Sequence, residues 1–275
     1  MNHERRTEKM TLPINLLHCP ACRKGSLSTH EDQNAHCDQC HATFAAGDGV
    51  IDLLPAATQK PGYAQRTMEW PWLVRLYESW WWRRSPLIAA ALGCTFEQEQ
   101  DYVLRSLALQ PEARILDLAC GPGIYTRPIA RAVPQGVALG LDISWPMLSY
   151  AAARAREESI DNIVWLRASA FEIPIADESL DGVSCCGAMH LFADLSRVLS
   201  EILRVLKPGG RFACGMSRRL DGLLGDIEMM TTTWSGLSAR SSDELVSLLE
   251  GVGFANVEIH HSQRIWQIAS AARPS

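Results

Sequence analysis

Two cysteine pairs share one spacing: Cys19-Pro20-Ala21-Cys22 and Cys37-Asp38-Gln39-Cys40, separated by residues 23–36. Four thiolates so arranged suit tetrahedral zinc, because each two-residue turn lets both of its sulfurs face one ion. The segments beside them are expected to pair as a hairpin. With protein filling every coordination position, such a zinc is structural rather than catalytic. His18, His36 and His41 sit next to ligand positions and read as neighbours of the site or exposed groups. Two symmetric knuckles fit a ribbon better than a single redox dithiol.

A second chemistry-bearing stretch is Ile115-Leu116-Asp117-Leu118-Ala119-Cys120-Gly121-Pro122-Gly123. An apolar run carries one acid, breaks into glycines, and is followed by Ile124–Ala132, which reads as a helix. A strand, a tight glycine turn and a helix start make a cradle for an adenosyl cofactor, since glycine admits close backbone approach and the helix start offers unpaired N–H groups. A nicotinamide fingerprint wants a third small residue where Thr126 stands. Asp117 just before the turn repels a pyrophosphate but suits a cationic ligand. The ammonium and sulfonium of S-adenosylmethionine are such cations.

The elements that must position these groups follow from periodicity. From about residue 111 strands and helices alternate, which argues for a parallel sheet covered on both faces. Strands are expected at 114–119, 136–142, 163–167, 180–187 and 210–216, and a closing pair at 257–260 and 265–270. Helices fall at 144–158 and 194–206. Lys207-Pro208-Gly209-Gly210 reads as a helix stop. Ser241 with Glu244 is a candidate capping box for a helix to about Glu250. The organisation is a tail at 1–14, a zinc ribbon at 15–54, a linker and helical aromatic lid segment at 55–110, and a cofactor domain at 111–275.

Those residues resemble the first motif of class I S-adenosylmethionine-dependent methyltransferases of the type 11 kind, here behind an N-terminal zinc ribbon. The resemblance covers about 97–270. It implies an α/β, Rossmann-like, doubly wound, mostly parallel seven-stranded sheet. It implies cofactor contacts from Asp117, Ala119, Gly121 and Gly123, and from Asp142 to both ribose hydroxyls. Ile143 is implied to pack on the adenine, with Met147 following. The loop Arg167-Ala168-Ser169-Ala170-Phe171 is implied to hold the adenine edge through Ser169, Ala170 and Phe171; Ser169 departs from the family's usual acid. Leu203–Gly210 matches the junction of helix and fifth strand. Gly187 and His190 close the strand end that the resemblance turns toward the transferring methyl, so His190 is the candidate base.

The acceptor is less defined. Trp70, Trp72, Trp80, Trp81 and Trp82 are five of nine tryptophans; they read as a helix from Pro71 to about Arg84, either buried on the sheet, a lid over the acceptor, or a membrane-surface contact. Residues 217–240, with Met229, Met230 and Trp234, are a second candidate lid. Both favour a small, largely apolar or aromatic acceptor, methylated on O, N or C. The strand end lacks the Pro-Pro-aromatic pattern of amino-group enzymes, and Cys185 and Cys186 lack the proline of a cytosine nucleophile. His260 and His261 read as surface residues. An enzyme on ribosomal or transfer RNA is the alternative, disfavoured by five basic residues against six acids in 1–50 and a net charge of −5. A non-methylating sulfonium-assisted enzyme or a non-catalytic cofactor-binding module stays open. No apolar run reaches the roughly 18 residues of a membrane span, and the polar first ten residues carry no signal core, so the cytoplasm is the expected compartment.

Overall fold

The computed structural model describes residues 16–29, 34–54, 85–220 and 239–275. The tryptophan-bearing segment and nearly all of the second candidate lid lie outside these residues. The N-terminal unit begins with a three-stranded antiparallel sheet of β1 (Leu27–Thr29), β2 (Ala35–Cys37) and β3 (Thr43–Phe44). A tight hairpin follows, β4 (Ala46–Gly47) and β5 (Val50–Asp52), turning through Asp48 and Gly49 at positive φ.

Two helices precede the central strand. α1 (Pro86–Leu92) is capped by Ser85 and ends on left-handed Gly93. α2 (Phe96–Ser106) starts with a capping box between Thr95 and Gln98. Then β6 (Arg114–Leu118), α3 (Thr126–Ala132), β7 (Val137–Asp142), α4 (Trp145–Glu157), β8 (Ile163–Arg167) and β9 (Leu180–Cys186) alternate. α5 (Leu195–Val205) leads into β10 (Leu206–Ser217), and α6 (Ser242–Val252) into the hairpin of β11 (Ala255–Gln263) and β12 (Trp266–Ala272). The capping box of Ser241 and Glu244 is present.

The large sheet has nine strands rather than the expected seven, in the order β11-β12-β10-β9-β6-β7-β8-β5-β4. The two additional strands come from the N-terminal unit. β5 pairs parallel with β8, so the last piece of the cysteine-rich region belongs to the main sheet and covers an edge that would otherwise be open. β10 also starts earlier than expected: Pro208 and left-handed Gly209 sit in a register shift between Leu206 and Arg211 instead of before the strand.

Helices cover both faces, because the inner strands are apolar on both sides. One core joins α5 and α6 to Leu116, Leu118, Leu139, Leu141 and Leu166, and continues without a break into Leu17, Leu27 and Ala35 of the N-terminal unit. α5 buries Leu195, Val198, Leu199, Ile202 and Val205, one stripe at helical spacing. The other core lies under α2, α3 and α4 around Ile115, Ala138 and Trp165. No described helix is long and apolar enough to cross a membrane.

The chain runs from β6 outward through β7 to β8, then crosses back to β9 beside β6. All of β5 to β10 point the same way. That reversal opens a crevice at the carboxyl ends of β6 and β9, where ligands of open α/β sheets bind.

Candidate adenosyl cleft and metal centre

The turn after β6 lies at this switch point. Ala119, Gly121 and Gly123 all adopt positive φ, at 54°, 53° and 75°. Alternating backbone handedness of this kind turns successive N–H groups toward one side. A Cβ placed on Gly121 would meet nothing within 4 Å, so the backbone there faces open space. Gly123 is the opposite case: its Cβ would lie 2.6 Å from the Trp165 ring. Gly140 on β7 abuts the same ring at 2.5 Å. Trp165 is thus the floor of the turn, and only glycine fits above it. Gly123→Ala is expected to destabilise the fold by about 2–4 kcal/mol, from left-handed strain plus overpacking. Urea unfolding checks this; a loss within error of zero would show that Trp165 yields freely.

Asp117 is buried beneath the turn, 2% exposed. Its Oδ2 accepts from the Thr126 hydroxyl at 2.5 Å and its Oδ1 from the Ser184 hydroxyl at 2.9 Å. Burial pushes its carboxyl up to about 6, against the pull of those two donors. Thr126, which looked like a poor third residue of a glycine fingerprint, is the donor that holds this acid. Both oxygens of Asp117 are thus committed to the turn's scaffold.

Asp142 ends β7, half-buried. Its Oδ2 accepts from the Gly121 N–H at 2.9 Å and its Oδ1 from the Ser144 N–H at 2.8 Å. The carboxylate therefore ties the glycine turn to the start of α4. Ser144 caps α4 through the Met147 N–H, which buries Met147 under the helix. Ile143 beside it is half-buried, and its carbonyl accepts from Arg167 Nε at 3.0 Å.

The loop after β8 carries Ser169, Ala170 and Phe171. The Ser169 hydroxyl accepts from the Phe171 N–H at 3.2 Å and so braces its own turn. Phe171 meets Phe192 edge-on at 5.9 Å, with Arg197 over its ring. Asp117, Ala119–Gly123, Asp142, Ile143 and the Ser169–Phe171 loop thus follow the carboxyl ends of three adjacent strands.

On the other side of the switch point, Gly187 (φ 79°) follows β9 and donates to the Gly215 carbonyl at 2.8 Å. His190 sits in a short 3₁₀ turn, Met189–Leu191. Its Nδ1 lies 3.5 Å from the Ser217 N–H, and its ring meets Trp266 edge-on at 6.3 Å. Burial pushes it down to about 4, so the ring is neutral above about pH 5. A neutral ring whose Nδ1 accepts carries its proton on Nε2. The face His190 leaves available is then a donor. Cys120, Cys185 and Cys186 have thiols held well above the ordinary range by burial, which removes them as thiolate nucleophiles. His261, expected at the surface, is buried; its Nε2 is 2.9 Å from the Leu92 carbonyl, because β11 lies against α1. His260 pairs with the Ser270 hydroxyl.

The four cysteine sulfurs all lie within 4.8 Å of one another, with Cys19–Cys40 at 3.6 Å and Cys22–Cys37 at 3.7 Å. Zn–S bonds of about 2.3 Å put tetrahedral sulfurs about 3.8 Å apart, so the donor set fits zinc. The knuckles repeat one another in backbone as well. Arg23 and His41, each following a second cysteine, both have φ 58° and donate back to Cys19 and Cys37. N–H groups of Gly25, Gln39 and Cys40 point at the sulfurs of Cys22 and Cys37. His36 Nδ1 lies 3.1 Å from the Thr43 hydroxyl.

The fold is the α/β, Rossmann-like fold of class I methyltransferases. Residues 115–210 match the family model described as "Methyltransferase domain". Among curated relatives, a demethylmenaquinone methyltransferase of Symbiobacterium thermophilum is 41% identical over 107 residues, covering 38% of this chain and 43% of the relative. One of Lactococcus lactis subsp. lactis is 43% identical over 101 residues, covering 36% and 40%. The chain thus spans less than half the length of these relatives. Among solved structures, phosphoethanolamine N-methyltransferase 2 of Haemonchus contortus, in complex with phosphomonomethylethanolamine and S-adenosylhomocysteine, superposes with a TM-score of 0.66 at 18% identity, over 81% of this chain and 62% of that one. The [4+2]-cyclase SpnF superposes at 0.57 with 20% identity, over 65% and 80%. These likenesses are of fold.

Proposed function

We propose that this protein binds S-adenosylmethionine in the cleft beyond Gly121 and transfers its methyl to a small, largely apolar or aromatic molecule, with a structural zinc in the cysteine cluster. The observation that carries the reading is the open, left-handed turn at Ala119–Gly123, held to Asp142 at the switch point. The Asp142 carboxylate accepts from the ribose hydroxyls. Ile143 flanks the adenine, and the loop of Ser169, Ala170 and Phe171 closes its edge. Above about pH 6 the Asp117 carboxylate gives the turn a negative field beneath a cationic ligand. The demethylmenaquinone methyltransferase relatives favour a quinone-like acceptor over RNA.

When bound, the cofactor supplies an electrophilic methyl on a sulfonium with a good leaving group, so the chain's own work is alignment and exclusion of water. His190 contributes an Nε2 donor that orients an acceptor oxygen. A ring with this low basicity stays neutral through the working range and contributes no titration near 6.5. Its burial favours folding above pH 6.5, and that contribution is lost as pH falls toward 4, because the unfolded chain takes up the proton first. His190→Ala is expected to lower kcat/KM about tenfold, with the wild-type pH profile flat from 5 to 8 for this group. A limb near 6.5 that vanishes in the variant would overturn the donor role.

The function itself is tested by incubating the protein with S-adenosylmethionine and a demethylated naphthoquinol. Mass spectrometry should find one added methyl and equimolar S-adenosylhomocysteine. Methylation of ribosomal or transfer RNA in place of small acceptors would overturn the acceptor class; cofactor binding without any methyl transfer would overturn the reaction.

A further inference from the structure

The loop that follows β8 is held at both ends by the N-terminal unit. At its start the Leu53 N–H donates to the Arg167 carbonyl at 2.8 Å, and Arg167 Nη1 donates to Asp52 Oδ2 at 2.9 Å. At its far end Leu16–His18 lies antiparallel to 174–176. There the His18 N–H donates to the Pro174 carbonyl at 3.0 Å and the Ala176 N–H to the Leu16 carbonyl at 2.9 Å. Between these ends Arg23 meets Glu172, whose own N–H donates to the Ser169 carbonyl and closes the turn of Ser169, Ala170 and Phe171.

The piece at Leu16–His18 also belongs to the metal centre. On its other side the Leu17 carbonyl accepts from the Leu27 N–H, and His18 bridges Ser26. His18 precedes Cys19 and Arg23 follows Cys22, so both contacts with the loop leave directly from the first knuckle. Leu17, Cys19, Cys37, Ile173 and Ile175 share one core, with Leu17 and Ile175 fully buried. α5 grips the loop from another side, through Glu201 on the Ile173 N–H and Arg204 on the carbonyls of Ile173 and Ile175. That second grip does not involve the knuckles.

We infer that the cysteine unit is a metal-dependent brace for the adenine-side loop, so that zinc occupancy and affinity for the S-adenosyl ligand are coupled. Four thiolates on one ion fix the two knuckles against each other. With the knuckles fixed, Leu16–His18 is a firm partner for 174–176 before any ligand arrives. A loop ordered in advance costs less to order on binding. Without metal the first knuckle is released, the pairing at 16–18 frays, and the far end of the loop keeps only its grip on α5. The Arg23–Glu172 ion pair is exposed and contributes little by itself; the coupling runs through the backbone pairing and Leu17. Such coupling is reciprocal, so ligand binding tightens the hold on zinc by the same factor.

This coupling rests on the adenosyl cleft and the zinc assigned above. Its test compares the zinc-loaded full chain with the same chain stripped by a chelator, both held below their melting transitions. The dissociation constant of S-adenosylhomocysteine, read by calorimetry, should rise about fivefold or more when zinc is removed. Saturating S-adenosylhomocysteine should lower the zinc dissociation constant by the same factor, measured in competition with a zinc-binding dye. Hydrogen exchange should quicken across 167–176 on zinc removal and stay unchanged across 115–123. Leu17→Ala leaves all four thiols in place and serves where the stripped protein aggregates. It should keep one zinc per chain yet bind S-adenosylhomocysteine about threefold more weakly. Equal affinity with and without zinc, unchanged affinity in Leu17→Ala, or exchange quickened equally in both segments overturns the brace while leaving the cleft assignment intact. A zinc-loaded protein that does not bind S-adenosylhomocysteine overturns the cleft assignment and the brace together.

Discussion

Asp142→Ala is expected to weaken S-adenosylhomocysteine binding by at least about 30-fold. In the proposed site two charge-assisted hydrogen bonds from ribose hydroxyls would contribute on the order of 2–4 kcal/mol together, and alanine removes both acceptors. The loss is compounded within the protein, since the N–H groups of Gly121 and Ser144 lose the carboxylate that joins them. The turn and the start of α4 would then drift apart, and the open face at Gly121 would lose its shape. Asp142→Asn separates the two effects. The amide keeps one acceptor oxygen, so its binding should fall between the wild type and alanine, with less loss of stability. Calorimetry on all three proteins reads the order directly. Affinity in Asp142→Ala within a factor of three of wild type would remove Asp142 from the cofactor site.

The second large effect is expected at the metal centre. Cys37→Ser should purify without its zinc and melt on the order of 10 °C lower, since metal binding and folding are one process in such units. Cys37 is nearly fully buried, and its sulfur accepts from both Gln39 and Cys40. The damage should spread beyond the ribbon, because Leu17, Cys19 and Cys37 share a core with Leu116 and Leu141. Metal analysis should give one zinc per wild-type chain, and limited proteolysis should cut the variant first within residues 16–54. A zinc-free wild-type protein with the same melting midpoint as the variant would show that four thiols suffice.

The parts legible in the sequence were those with local causes. The capping box at Ser241 and Glu244, the glycine turn and both cysteine knuckles each depend on residues a few positions apart. The alternation of strands and helices carried the sheet's parallel core in the same way. What escaped depended on distant pairing. Val50-Ile51-Asp52 is only three residues long, and its partner strand lies over a hundred residues later, so no local pattern assigns it to the main sheet. The partners of Asp117 escaped for a related reason. Thr126 could be noticed as a departure from a glycine fingerprint, but Ser184 comes from a strand on the far side of the switch point. His261 looked exposed in an alternating strand; α1 packing over it reverses that.

The edge position of β5 also sets an order of events during synthesis. The cysteine unit leaves the ribosome early and can take up its metal from local contacts alone. β5, however, has no strand to pair with until β8 has been made, and closing so long a loop is slow compared with forming the knuckles. Until then its open edge is a place where a second nascent chain could pair instead. The wait ends at Arg167, the last residue of β8, whose arrival both seals that edge and completes the ion pair with Asp52. A chain stalled before that point would hold a finished metal centre beside an unfinished cleft.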